Sequence, residues 1–170
     1  METNGINIAI AETAMQYVNI EEIRGNLGWK DKLFEKAMAA VGWYKKAHWC
    51  AFFMEKVWVE AYMEYYKEKP AIFGRAKKLL GRLCSGNSQR TYRNFRDSGV
   101  FDTGSIPAIG AAAVWKYAGL SGHTAACIIE IDHNNKIFKT IEGNAGDKVA
   151  VRKHKFGEKN LLGFIYPKEF

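Results

Sequence analysis

The sequence changes character near Gly99, and this change limits the folds that the chain can adopt. Before Gly99, apolar residues recur at steps of three and four, which is typical of helices with one buried face. After it, Pro and Gly residues separate short apolar runs that have strand character. Helices followed by antiparallel strands predict an α+β domain. With 170 residues and no repeat or low-complexity linker, the chain is expected to form one domain over residues 1–170.

The third of five predicted helices is the longest and most apolar, and it spans residues 48–62 without Gly or Pro. It should therefore be largely buried. The other helices are expected near residues 8–18, 31–41, 72–83 and 88–97. Strands are expected at residues 111–116, 124–131, 136–141 and 161–166, with a hairpin turn at residues 133–135. His133 and His154 are expected to be exposed, and His48 to lie in a loop near the cleft.

Cys50 is the first candidate for chemistry, because it stands directly after Trp49 where the long helix should begin. The positive end of a helix and an adjacent imidazolium both stabilise a thiolate. An inert, buried thiol is the alternative at such a position. The three cysteines are an odd number without a CxxC pair, so a disulfide framework is not expected.

Two polar motifs after Gly99 could complete a site with Cys50. In Ser121-Gly122-His123-Thr124, a histidine begins an apolar strand, and the preceding glycine permits close approach of a neighbouring backbone. Glu142-Gly143-Asn144 ends the next strand, so Glu142 and Asn144 are expected to point the same way as His123. Either side chain could orient the histidine, and the spacing does not choose between them. A hydrogen-bonded strand-end histidine and an ordinary turn are the alternatives.

The order of these motifs resembles the CHAP family of cell-wall amidases and peptidases. The resemblance lies in Trp49-Cys50-Ala51-Phe52-Phe53, in Pro107-x-x-Gly110 followed by Trp115, in Gly122-His123-Thr124 and in Glu142-Gly143-Asn144. The segment from Glu22 to Trp29 is also similar to the N-terminal part of phage and bacterial members. The resemblance implies a papain-like α+β fold, in which N-terminal helices carry the nucleophile at a helix start and pack on a small antiparallel sheet.

The resemblance also implies roles for individual residues. Cys50 matches the nucleophile, His123 the general base, Glu142 the residue that orients the base, and Asn144 an assisting polar residue. Trp49, Asn26 and Trp115 are expected to contact the substrate, with Asn26 or Trp49 as a second oxyanion donor beside the Cys50 N–H. The implied reaction is hydrolysis of peptidoglycan amide bonds, by an N-acetylmuramoyl-L-alanine amidase or by a stem or cross-bridge endopeptidase.

No cofactor or metal is expected. Ala111 stands where some family members carry an acidic residue, so the resemblance implies no calcium site. A zinc site made of His48 and Cys50 with His123, Cys84 or Cys127 is the alternative, but these residues lack the spacing of zinc ligands.

The formal net charge of +7 favours polyanionic partners. Peptidoglycan is the expected partner, and anionic wall polymers are a further candidate. A nucleic-acid module is an alternative, because aromatic Tyr92 and Phe95 alternate with cations, but nucleic acid is not the expected partner. The cations in question are Lys77, Lys78, Arg82, Arg90, Arg93 and Arg96. A papain-like deamidase or protease that acts on a protein is a second alternative.

The N-terminal residues lack the basic start and apolar block of a signal peptide, and no apolar run is long enough for a membrane span. The expected route is synthesis in the cytoplasm and action on the cell wall after release. Phage lysis, virion association and secretion as an effector would each provide that release.

Overall fold

The computed structural model describes residues 5–170, in which five helices precede six strands. The helices are α1 (Gly5–Met15), α2 (Lys32–Ala40), α3 (Cys50–Tyr65), α4 (Pro70–Leu83) and α5 (Ser88–Ser98). The strands are β1 (Thr103–Gly104), β2 (Ala112–Lys116), β3 (Gly122–Asp132), β4 (Ile137–Glu142), β5 (Ala150–Lys155) and β6 (Leu161–Ile165). The predicted α+β class is confirmed, with the change from helices to strands near Gly99.

Local sequence signals explain where several helices begin and end. The Asp31 carboxylate accepts from the N–H groups of Leu33 and Phe34 and so caps α2. Pro70 occupies the first turn of α4, where a missing N–H costs nothing. The Asn87 side chain caps α5 by accepting from the N–H of Arg90, and Gly99 ends that helix in the left-handed conformation, with φ 63°.

The strands form one antiparallel sheet in the order β1-β6-β2-β3-β4-β5. Trp115 on β2 pairs with His123 on β3, and Ala125 on β3 pairs with Glu142 on β4. The register therefore places the start of β3 beside the end of β4, where the polar motifs meet. The four predicted strands are present, whereas β1 and β5 were not predicted.

One cluster of buried side chains joins all five helices to the sheet. At its centre, α3 packs on β3, and Phe53, Val57 and Ala61 of α3 are fully buried at helical spacing. A second, smaller cluster around Trp115 and Phe138 lies among other sheet residues. None of the helices within residues 5–170 combines the length and apolar character needed to cross a membrane.

Candidate active site

Cys50 is the first residue of α3, so its side chain lies at the positive end of the helix. The preceding residue, Trp49, provides no side-chain cap, and its carbonyl accepts from the N–H of Phe53. Because the first N–H groups of a helix have no partner within it, they are available to stabilise negative charge beside Cys50. The residue is 6% exposed and lines an open cleft.

His123 stands at the start of β3 and links Cys50 to Glu142. Its Nε2 lies 2.7 Å from Oε2 of Glu142, and its ring and positive charge lower the pKa of the Cys50 thiol. Since Nε2 is engaged by Glu142, Nδ1 is the ring nitrogen left to interact with the sulfur. Gly122 permits this placement, because a Cβ there would lie 2.6 Å from the carbonyl oxygen of Trp115. The three side chains therefore form one continuous row of interacting groups.

The charges in this row favour an ionised thiol. Burial raises the pKa of Cys50, but the hydrogen bond and positive charge of His123 outweigh burial, and the pKa falls below 9.0. The Ser88 hydroxyl and the backbone N–H of Thr124 lower the pKa of Cys50 further. Burial lowers the pKa of His123, whereas its bonds to Cys50 and Glu142 raise it to about 10. Both shifts act in the same direction, towards a thiolate beside an imidazolium.

Glu142 ends β4 and is only 5% exposed at its side chain. Besides His123, its carboxylate accepts from Thr140 Oγ1 at 2.6 Å and from His154 Nε2 at 2.6 Å. Burial raises the pKa of Glu142, but these donors and the histidine charge lower it to about 2. Glu142 therefore remains an anion that orients His123 at any pH near neutrality.

His154 is a residue of this network that the sequence interpretation missed. The expectation that it is exposed is wrong, because its side chain is 18% exposed and bonded to Glu142. It lies on β5, a strand that was not predicted, between the rings of Trp115 and Phe138. Ala150, Arg152 and His154 stand at alternate positions, which would place them on one face of a strand. This spacing could have indicated the position of His154, but only if residues 150–155 had been predicted as a strand.

Asn144 does not share the direction of Glu142, so the expectation of a common face is wrong. The backbone of Asn144 is left-handed, with φ 57°, and this interrupts the alternation of the strand. Its side-chain nitrogen donates to Nδ1 of His48 at 3.3 Å. Asn144 and His48 therefore lie on the wall of the cleft, and Glu142 alone of the two candidates bonds to His123.

The three predicted substrate contacts do not line the cleft. Trp49 is fully buried in the aromatic core, and its indole N–H donates to Glu22. Trp115 is also buried, and its indole N–H donates to Glu158. Asn26 lies in a turn, where its carbonyl accepts from the N–H of Lys46. The large apolar rings pack inside the protein because burial stabilises them more than exposure at a polar cleft.

The cleft has a volume of about 380 Å³ and combines the reactive residues with polar loop and helix termini. Ser88, the first residue of α5, places its hydroxyl 3.7 Å from the Cys50 sulfur. Two helix N-termini, those of α3 and α5, therefore meet at the sulfur. The lining residues are His48, Cys50, Gly86, Asn87, Ser88, Tyr117, Ser121, Gly122, His123 and Asn144.

This arrangement can perform nucleophilic chemistry. A thiolate, a proton donor on its flank and an anion that fixes the donor are the elements of a cysteine hydrolase. No group of three or more His, Cys, Asp or Glu side chains within residues 5–170 is arranged to hold a metal ion. No protein-family model, curated protein or solved structure matches this chain.

Proposed function

We propose that this protein is a cysteine hydrolase that cleaves amide bonds in bacterial peptidoglycan. The observation that carries the proposal is the continuous row of Cys50, His123 and Glu142 at a helix N-terminus in an open cleft. The choice of peptidoglycan follows from the resemblance of the motifs around these residues to the CHAP family. Within that reaction, an amidase and an endopeptidase have the same catalytic requirements.

The proposed reaction is acyl transfer in two steps. The Cys50 thiolate attacks the amide carbonyl carbon, and the His123 imidazolium protonates the leaving nitrogen as the C–N bond breaks. The product is a thioester on Cys50 and a free amine. Neutral His123 then takes a proton from water, the hydroxide attacks the thioester carbonyl, and the thiolate leaves as the carboxylic acid forms. Glu142 stabilises the imidazolium in both steps.

Two donors near the sulfur are suited to stabilise the oxyanion of each tetrahedral intermediate. The first is the backbone N–H of Cys50, at the start of α3. The second is the Ser88 hydroxyl, 3.7 Å from the sulfur. Ser88 replaces Asn26 and Trp49 in this role, because neither of those residues lines the cleft.

The charge distribution supports an anionic wall as the site of action. Residues 69–98 contain eight Lys and Arg side chains and one acidic residue, so this segment alone has a formal charge of +7, equal to that of the whole chain. The basic face, defined as Arg75, Lys77, Lys78 and Arg82 of α4 with Arg90 and Arg93 of α5, is exposed. Its side chains form no ion pairs within residues 5–170. They are free to bind phosphate or carboxylate groups.

The position of the basic face favours a polymer that continues from the cleft. Asn87 lines both the cleft and a neighbouring groove that also contains Arg90 and Arg93. The aromatic residues between the cations do not form a stacking platform, since Phe95 is fully buried and Tyr92 is half-buried. Nucleic acid binding by base stacking needs exposed rings. An anionic wall polymer, which has no bases, fits this face better.

The direct test is clearing of purified sacculi, followed by mass spectrometry of the released fragments. Wild-type protein and the Cys84→Ala control are expected to release fragments with a new amine and carboxylate, whereas Cys50→Ala releases none. Clearing by Cys50→Ala would overturn the assignment. The deamidase or protease alternative would be favoured if wild-type protein did not clear sacculi but released ammonia or peptides from proteins in a reaction that depends on Cys50.

The basic face is tested by sedimentation with sacculi in the inactive Cys50→Ala protein. Reversal of Lys77, Lys78 and Arg82 to Glu is expected to abolish salt-sensitive binding. Reversal of Lys30, Lys36 and Lys153, which are exposed elsewhere, is the matched control and should retain it. Equal binding by both triple variants would contradict the role of the basic face, and tighter binding to DNA or RNA than to sacculi at physiological salt would favour nucleic acid.

A further inference from the structure

Glu142 is held between two histidines, one on each side. Its Oε2 lies 2.7 Å from Nε2 of His123, and its Oε1 lies 2.6 Å from Nε2 of His154. The hydroxyl of Thr140 also donates to Oε1. Each carboxylate oxygen therefore has its own imidazole partner, and the carboxylate cannot rotate without breaking one of these bonds.

Both ring nitrogens of His154 face carboxylate oxygens. Nε2 faces Glu142, and Nδ1 lies 3.3 Å from Oε2 of Glu158. A neutral imidazole has one N–H, so one of the two carboxylates would then face a nitrogen lone pair. The doubly protonated ring donates to both. The geometry therefore favours an imidazolium at His154.

Glu158 is itself fixed in place in the turn between β5 and β6. Its Oε2 accepts from the indole N–H of Trp115 at 2.9 Å, and its Oε1 accepts from the backbone N–H of Lys155 at 3.0 Å. The charged groups that face His154 are Glu142 from β4 and Glu158 from this turn. The rings of Trp115 from β2 and Phe138 from β4 pack against its other sides.

We propose that His154 is a positioning residue, whose hydrogen bond fixes Glu142 and whose positive charge helps keep Cys50 ionised. The inference rests on the proposed role of Cys50 as the nucleophile. From Cys50 to Glu158 the charges alternate as minus, plus, minus, plus, minus. The negative charges of Glu142 and Glu158 disfavour a thiolate at Cys50. The positive charge of His154 partly cancels them and therefore reduces this unfavourable effect.

The sign of the expected effect follows from the loss of a cation. In His154→Gln the side chain keeps an N–H donor but loses the charge, so the thiolate takes up a proton at higher pH. In His154→Phe the ring contacts with Trp115 and Phe138 remain, but both the charge and the donor are lost. The phenylalanine variant is therefore expected to show the larger effect, because Glu142 also loses one of its restraints.

The experiment measures the rate of Cys50 alkylation by iodoacetamide from pH 4 to pH 10, with mass spectrometry of the labelled peptide. This readout needs no peptidoglycan, so its outcome is separate from the success or failure of the proposed hydrolysis. The acid limb is expected to move to higher pH in both variants. At a pH on the acid limb, the rate of Cys50 alkylation in the variants should be lower than in wild type by about threefold to tenfold. This is the size of effect that the loss of one nearby charge has at an effective dielectric constant of about 20.

A purely structural role would lower the melting temperature and leave the alkylation profile unchanged, and that result would overturn the proposal. If His154→Phe does not fold, the His154→Gln profile decides by itself, since that variant retains a donor. With a soluble muropeptide as substrate, kcat of the His154 variants should fall by about tenfold, which is part of the contribution of general acid–base catalysis. KM should not change, because His154 does not line the cleft. A rise in KM alone would also contradict a positioning role.

Discussion

The cysteine in the first turn of α3 differs from the two cysteines in the interior of the protein. The pKa of its thiol is lowered, whereas the pKa values of the other two thiols are raised. Cys50, Cys84 and Cys127 are 6%, 9% and 0% exposed. Burial raises the pKa of Cys127 to about 12 and raises that of Cys84 well above its ordinary value, where the Glu55 carboxylate adds to the effect. At Cys50 burial acts in the same direction, but the pKa is lowered.

The difference arises from what each sulfur faces. Cys50 lies at the positive start of a helix beside His123, whereas Cys84 follows the negative end of α4. Cys127 lies within β3, against the main core. Low exposure therefore does not distinguish an inert thiol from a reactive one. The helix terminus and the charged partner make the distinction.

The largest expected effect is the difference in activity between variants in which Cys50 or Cys127 is replaced by alanine. Cys50→Ala should lower hydrolytic activity by on the order of 10⁴-fold or more, because the proposed nucleophile is lost. Cys127→Ala should keep activity but lower the free energy of unfolding by about 1 kcal/mol, since a buried sulfur is removed from the core. Activity assays and urea unfolding of both variants provide the measurement. The reverse pattern, with activity lost only in Cys127→Ala, would contradict the comparison.

The next effect concerns Glu142, which makes the Cys50 site differ from the other two. Glu142→Gln should lower kcat by on the order of 10³-fold, because an amide does not stabilise the His123 imidazolium.

Ionised Glu142 should also make the free energy of unfolding larger at neutral pH than in acid. The folded-state pKa of Glu142 is lowered to about 2, so its contribution of about 3 kcal/mol is present above the unfolded-state pKa of about 4.3.

That contribution is lost as the pH falls through about 2. Urea unfolding of wild type and Glu142→Gln should therefore differ most at neutral pH and converge towards pH 2. A difference that stays constant from pH 7 to pH 2 would mean that ionised Glu142 is not the source of the stability.

Ser88 tests the second helix N-terminus at the sulfur. If its hydroxyl donates to the oxyanion, Ser88→Ala should lower kcat by about 10²-fold with little change in KM. Ser121→Ala is the matched control, because Ser121 lines the same cleft without a hydrogen bond to Cys50. Equal activity of the two variants in steady-state assays would remove Ser88 from the mechanism.

A smaller effect is expected at Gly143, which brings the end of β4 against the first turn of α3. A Cβ at this position would lie 2.6 Å from the Trp49 ring and 2.7 Å from Cβ of Phe53. Gly143→Ala should lower the free energy of unfolding by about 1 to 3 kcal/mol, through overpacking, and reduce activity by displacing Glu142. Thermal unfolding and assays give both values.

Gly74→Ala is its control, since Gly74 lies in α4 and a Cβ at this position would have no neighbouring atom within 4 Å. That change should stabilise the protein by about 0.5 to 1 kcal/mol, because alanine favours a helix. A loss of stability at Gly74 as large as that at Gly143 would show that close packing is not the reason.

The sequence predicted the elements that carry strong local signals. The helix that begins at Cys50 has an uninterrupted apolar pattern, and glycines mark the start of β3 and the end of β4, so the meeting of Cys50 and His123 with Glu142 or Asn144 could be predicted. The spacing did not choose between Glu142 and Asn144, and only the resemblance to the CHAP family favoured Glu142. The edge strand β5 was missed because Arg152, Lys153 and Lys155 interrupt apolar alternation, as is common for exposed sheet edges. His154 was missed with it.

Other differences arise from tertiary contacts that spacing does not encode. Trp49 is adjacent to Cys50 in sequence, yet its ring turns into the core and contacts the rings of Trp29 and Phe53. Asn144 is two residues from Glu142, but its left-handed backbone directs it to His48. Neighbours along the chain predict a shared site only while the local backbone remains regular.

The central claim is that Cys50 is the ionised cysteine, and competitive alkylation of the three thiols tests it most directly. The native protein is treated with iodoacetamide across a pH series, and the labelled peptides are quantified by mass spectrometry. Cys50 should react first, with a midpoint below 9.0, and His123→Ala should remove the reactivity on the acid side of that value. Labelling of Cys84 or Cys127 before Cys50, or an unchanged Cys50 profile in His123→Ala, would contradict the account.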